Sequence, residues 1–279
     1  MKKRWLRILC GLLCLCAIVW GLLLSGRLTN ADTTATPVVI AIIDTGISTC
    51  AIPAENIREG KNYLDPAFST EDTYGHGTAV ASVILADFPQ ARLVPLVSNA
   101  FENGKIIQVD NDVFAQMIRD AVDVYQCRII NLSVGLILDK SSIREAVAYA
   151  EEKGVLVVAS VGNDYAADGD FRYYPAGYDT VLAVGSVNSD HTAISDFSQR
   201  GEWVDVYAVG EDVTIATLSG NTRQSQGTSY SAARVTAYAA SLLQQDPALT
   251  PAALREKLLR EAKTLPDGTK FIPICQRDS

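Results

Sequence analysis

Histidine is almost absent from this chain. Only His76 and His191 occur in 279 residues, so chemistry that needs a side chain titrating near neutrality has two candidates. Positive charge is also scarce. The 24 Lys and Arg residues face 32 Asp and Glu, a formal net charge of −8. Five of the basic residues (Lys2, Lys3, Arg4, Arg7, Arg27) stand in the first 36 positions beside one acid, Asp32, which leaves 19 basic and 31 acidic residues in the remainder. That balance contains no basic patch for a phosphate backbone, and no nucleic-acid partner is expected. No C-x-x-C pair or Cys/His cluster is present, which argues against zinc; no metal and no cofactor are expected. Of the six cysteines, Cys10, Cys14 and Cys16 lie in an apolar run and act as small hydrophobes. Cys50, Cys127 and Cys275 belong to the body. An exported location permits one disulfide, and Cys50–Cys275 is the expected pair because Cys127 precedes a buried strand. Internal repeats and low-complexity tracts are lacking, so one globular domain is the economical reading.

The N-terminus stands apart. A basic stretch, Met1 to Arg7, precedes Ile8 to Leu24, which is 17 residues without a charge. That exceeds the roughly 7–15 residues of a signal-peptide core and approaches a membrane span. Residues 1–26 are therefore expected to be a signal anchor or signal peptide. The anchor is favoured by the length of the run, and Thr29-Asn30-Ala31, the best cleavage candidate, is a poor one. The basic residues would hold the N-terminus in the cytoplasm and place the body outside it, tethered to the membrane, or secreted if the segment is cut. Residues 27–37 form a short polar tether closed by Pro37.

The body alternates strand and helix. Val38 to Ile43 is a continuous β-branched run, read as a central strand buried on both faces. Helical periodicity follows from His76, over 110–125, over 142–153 and behind Ser229, with a last helix opened by Thr250-Pro251. Strands are expected at 91–97, 128–135, 155–160, 181–185, 203–207 and 213–217. This pattern predicts an α/β fold of three layers, a mostly parallel sheet with helices on both faces, over residues 38–263. Residues 264–279 read as a polar tail.

Four residues invite a chemical reading, and each has an ordinary one. Asp44 ends the first strand in Asp44-Thr45-Gly46, where α/β sites form, yet Asp-x-Gly is also a common turn. His76 opens a helix between two glycines. Ser229 lies in the first turn of another, where free N–H groups favour negative charge but where capping serines also sit. Asn163 ends a strand and suits any turn. Together an acid, a histidine and a serine suffice for nucleophilic acyl transfer. The order Asp…His…Ser and the absence of G-x-S-x-G argue against an α/β-hydrolase.

In that order the motifs resemble those of the subtilisin-like serine proteases (subtilases). Ile42-Ile43-Asp44-Thr45-Gly46 is similar to the family's aspartate motif, Gly75-His76-Gly77-Thr78 to its histidine motif and Gly227-Thr228-Ser229 to its serine motif. Ile130 to Gly135, Val157 to Asn163, Tyr174-Pro175-Ala176, Val181 to Gly185 and Asp196-Phe197-Ser198 fit as well. The resemblance implies a serine endopeptidase with Asp44, His76 and Ser229 as its triad and Asn163 as an oxyanion donor. It implies a peptide or protein substrate flanked by Ser133, Val134, Gly135, Ser160 and Gly162, paired as an added strand near Asn103–Ile106. Tyr173 would partly fill the first pocket and favour a small side chain; Asp164, Asp168 and Asp170 would instead attract a basic one. Both remain open, as does the oligomeric state. His191 is read as an exposed loop residue.

Three departures stand out. Ala79 replaces a frequent second histidine, and Ala233-Arg234 replaces a usual proline. Asp87 leads almost directly to the strand at Ala91, so no calcium loop is expected. Nor is a propeptide, given the short tether. A catalytically silent, membrane-tethered binding module on the same scaffold is the competing reading.

Overall fold

Ile40 to Ile43, the centre of the run Val39–Asp44, have backbone partners on both sides, which explains the lack of a polar face. The run forms β1, and pairs in parallel with β3 (Arg92–Val97) on one side and β6 (Ile129–Leu132) on the other. The computed structural model describes residues 37–165 and 171–274. The expected anchor at 1–26 and the tether to residue 36 lie outside the described residues. Among the described residues no helix is long and apolar enough to cross a membrane.

Among the described residues the sheet has nine strands. In spatial order they are β12 (Lys263–Thr264), β13 (Lys270–Phe271), β9 (Val206–Val209), β8 (Val181–Val187), β7 (Leu156–Ser160), β6, β1, β3 and β2 (Lys61–Asn62). All neighbouring pairs are parallel except β12–β13. Among the described residues five helices cover it: α1 (His76–Asp87), α2 (Asn111–Asp123), α3 (Ser141–Glu152), α4 (Thr228–Gln245) and α5 (Pro251–Glu261). Strand alternation sorts the core into two layers. Ile40, Ile42, Val158 and Val184 face α1, α4 and α5. Ala41, Ile43, Val157 and Ala183 face α2 and α3. The α/β architecture expected from the sequence is the one observed.

Three local expectations need correction. The polar tail is not a tail over 264–272. It returns to the sheet as β12 and β13, burying Leu265, Phe271 and Ile272. Two-residue strands are too short to show periodicity, and only the open edge at β9 gives them a partner. That return also shelters His191, which is half-buried with its ring 5.2 Å from Phe271 rather than simply exposed. The strand expected at 203–207 begins at Val206, after a turn that holds Trp203.

The segment after β3 is a hairpin of β4 (Asn99–Glu102) and β5 (Lys105–Gln108). Asn103 and Gly104 take φ of 50° and 79° at its tip. Positive φ at both central residues matches the twist of a two-residue hairpin, and Asn-Gly is its usual sequence. Of the body cysteines, Cys50 is a free exposed thiol and Cys127 is buried; Cys275, the expected partner of Cys50, lies outside the described residues.

Candidate active site

Asp44 is the last residue of β1, so the central strand delivers its carboxylate to the C-terminal rim of the sheet. The residue is fully buried. Its oxygens lie 2.8 and 2.9 Å from His76 Nδ1. A carboxylate can only accept, so Nδ1 carries the proton and Nε2 is left as a base. The Thr45 N–H also donates to Asp44, at 2.7 Å.

Two glycines bring the histidine to that carboxylate. Gly75 stands before α1 with φ of 103°, a conformation that side chains disfavour. Gly77 allows a close approach: a Cβ there would meet the Gly46 carbonyl oxygen at 2.2 Å and Asp44 Cβ at 3.2 Å. The glycines thus serve backbone packing as much as clearance for the imidazole.

Sequence reasoning passed over Asp72, whose carboxylate organises this turn. It is buried and accepts from the N–H groups of Tyr74, Gly75 and Thr78 at 2.9, 2.7 and 2.9 Å, and from Thr78 Oγ1 at 2.7 Å. The signal was an aspartate four residues before the first residue of a helix, a place where carboxylates satisfy free N–H groups. Burial alone would lower the His76 pKa. The Asp44 charge and hydrogen bond, together with the Asp72 charge, outweigh it and hold the imidazole above its ordinary value.

Ser229 is the second residue of α4, which packs beside α1. Its neighbour Tyr230 places its ring 6.5 Å from the imidazole of His76, centroid to centroid. Among the described contacts, the Ser229 hydroxyl has no hydrogen bond to the ring; such bonds commonly tighten only with substrate. Asn163 follows β7. Its Oδ1 accepts from the Thr228 N–H at 2.8 Å and from Thr228 Oγ1 at 2.9 Å. An N–H can only donate, so the oxygen must face Thr228 and the Nδ2 donors face away from it. One polar chain ties the start of α4 to the neighbouring strands: Ser133 Oγ donates to the Ser229 carbonyl at 3.4 Å and Thr236 Oγ1 to Asn131 Oδ1 at 2.9 Å.

Two of the expected substrate-flanking residues, Gly135 and Gly162, lie against Tyr173. A Cβ on Gly135 would lie 3.2 Å from its ring, and one on Gly162 2.6 Å. The ring therefore occupies the gap between the two strand ends, and its hydroxyl donates to Asp164 at 2.9 Å. Asp168 and Asp170 lie outside the described residues. Ser160 is buried at the end of β7, while Val134 is half-buried against the α2–α3 layer. Among the described residues no group of three His, Cys, Asp or Glu side chains is placed to hold a metal ion.

Arg234, a departure from the motif, lies in α4 and reaches Asp87 at the end of α1, 3.3 Å away, with both side chains buried. It clamps the helix bearing Ser229 to the helix bearing His76. Arg234→Leu would take the guanidinium away from a buried carboxylate, and is expected to cost about 3–5 kcal/mol in a denaturation experiment. Adding Asp87→Leu should restore most of that loss; a single variant as stable as the parent would show the clamp to be idle.

The subtilase family model matches residues 35–272. Subtilisin Savinase from Lederbergia lenta is 34% identical over 247 residues, covering 85% of this chain and 87% of that protein. An alkaline protease from Alkalihalobacillus alcalophilus is 32% identical over 241 residues, covering 85% of this chain but only 62% of that protein. Among solved structures, a cold-adapted subtilisin-like serine proteinase superposes with a TM-score of 0.75 at 24% identity, covering 90% of this chain and 92% of that one.

Proposed function

Because this chain belongs to the subtilase family of serine endopeptidases, we propose that it hydrolyses peptide bonds through an acyl-enzyme on Ser229. The observation that carries this reading is the two-oxygen grip of Asp44 on His76 Nδ1 at the start of α1, beside the first turn of α4. His76 Nε2 takes the proton from Ser229 Oγ as the oxygen attacks the substrate carbonyl. Asp44 stays ionised and stabilises the imidazolium. The oxyanion receives hydrogen bonds from Asn163 Nδ2 and the Ser229 N–H, at the positive end of α4. The imidazolium then gives its proton to the leaving amine. Water, activated by the same ring, releases the acyl half.

A fluorophosphonate probe tests the central claim. It should label the protein at Ser229 and fail to label Ser229→Ala. Absence of labelling in the folded parent would support a silent binding module instead. Asn163→Ala is expected to lower kcat by about 10²–10³ with little change in KM, because its amide meets charge that exists only in the transition state. Equal changes in KM and kcat/KM would place Asn163 in ground-state binding.

The raised His76 pKa has a sign that can be checked. The base must be neutral, so activity falls as pH drops through that pKa, and the acidic limb of kcat/KM should lie above about 6.5. Asp72→Asn should move the limb to lower pH. A limb at or below 6.5 in the parent would contradict the environment described.

Placement outside the cytoplasm, by an anchor or by secretion, rests on the basic stretch and apolar run of residues 1–26. Narrow processing of exported peptides suits such a placement. Tyr173 between Gly135 and Gly162 supports a small side chain in the first acyl-side pocket.

A further inference from the structure

A cavity of about 550 Å³ opens beside His76 on the side remote from the acyl pocket. Its walls include His76, Tyr74 and Tyr230, with Ile215, Leu218 and Arg223 from the hairpin of β10 (Val213–Ala216) and β11 (Thr222–Ser225). It shares no lining residue with the acyl side: Asn163, Gly135, Gly162 and Tyr173 are all absent from its wall. His76 is the common boundary. The ring that hands its proton to the leaving amine is thus also the entrance to this space, so the leaving half of the substrate runs into it.

The charge of the cavity is unlike that of the body. Among the described residues Arg223 is, beyond His76, the one charged side chain in the wall, and no Asp or Glu lines it. Among the described residues Arg223 makes no ion pair; its guanidinium has only a 3.5 Å contact to the Gln224 carbonyl oxygen, and the residue is exposed. The rest of the wall is largely apolar or aromatic. A guanidinium above an apolar floor suits a carboxylate carried on an aliphatic stem. The acidic body as a whole would draw basic peptides, so this local reversal of sign discriminates rather than merely attracts.

We propose that Arg223 makes the enzyme select substrates with a Glu or Asp side chain within the first three residues after the cut bond. This deepens the peptidase reading and rests on it. The test uses matched quenched-fluorescent peptides that share an acyl half taken from a cleavage profile. They are amidated at the C-terminus, so that no free terminal carboxylate competes. Each of the three leaving-side positions carries Glu, Gln or Lys in turn. At one position the parent should prefer Glu over Lys by about five- to twentyfold in kcat/KM at low salt, the range for one attractive contact exchanged for one repulsive contact. The ratio should shrink as ionic strength rises. Arg223→Glu should invert it. Because a ratio is read, a general loss of activity in the variant cancels.

Equal rates for Glu and Lys at all three positions, or an order unchanged in Arg223→Glu, would overturn the proposal. Fluorophosphonate labelling run in parallel separates the two levels. A labelled enzyme without the charge preference removes this inference alone. An unlabelled enzyme removes the peptidase reading and the inference with it.

Discussion

Ser229→Ala is expected to lower kcat by about 10⁶-fold while leaving the folded structure in place. The structure gives reasons for both halves. In the proposed mechanism the hydroxyl is the nucleophile, and the imidazole that would take its proton has its other nitrogen held by a buried carboxylate. Removing it leaves only positioning and the oxyanion donors, which retain about 10³–10⁴-fold over water. The fold should not suffer, because Ser229 Oγ anchors nothing among the described residues. The start of α4 is held instead by Thr228 on Asn163, by Ser231 Oγ donating to the Ala208 carbonyl at 2.9 Å, and by Arg234 on Asp87. Alanine is also the better helix former. Single-turnover kinetics and thermal unfolding should therefore disagree, with activity lost and stability kept. His76→Ala should lose about as much activity, and the double variant scarcely more, because residues acting as a unit are not additive. A Ser229→Ala protein with activity near that of the parent would end the assignment.

Asp44→Asn carries the second-largest expected effect, a fall of about 10⁴ in kcat near neutral pH. Asparagine keeps the shape at a fully buried position, so packing against Gly77 and the Thr45 N–H bond can persist. What changes is the proton. An amide nitrogen facing His76 would favour the proton on Nε2, the atom that must be free to act as base. The imidazolium also loses its counter-charge. KM should move little, since Asp44 is sealed beneath the histidine. A loss smaller than about tenfold would mean that the carboxylate only packs.

How much of this was legible beforehand depends on how local each cause is. The β1 run, the glycines around His76 and the Thr250-Pro251 start of α5 are short-range effects of backbone sterics, side-chain period and capping, and they were readable in the residues. Asn103-Gly104 was equally local, and its hairpin was readable but passed over. Arg234 looked like a mere departure from a motif because its partner, Asp87, stands 147 positions away. Tyr173 left two specificities open because its ring lies against Gly135 and Gly162, which follow different strands.

The sequence alone determined which groups are available: one acid at a strand end, one histidine at a glycine turn, one serine at a helix start, and an acidic body. Period-two and period-3.6 patterning also determined that these elements would layer into a mostly parallel sheet covered by helices. Only the tertiary structure decided which groups share a space. It set Asp72 under the His76 turn, closed residues 263–271 onto the edge of the sheet, and put Arg223 across a cavity from His76. The physical reason is range. Backbone preferences act over a few residues and are written along the chain. Burial, ion pairing and cavity shape act over a few ångströms, between residues that only the fold brings together.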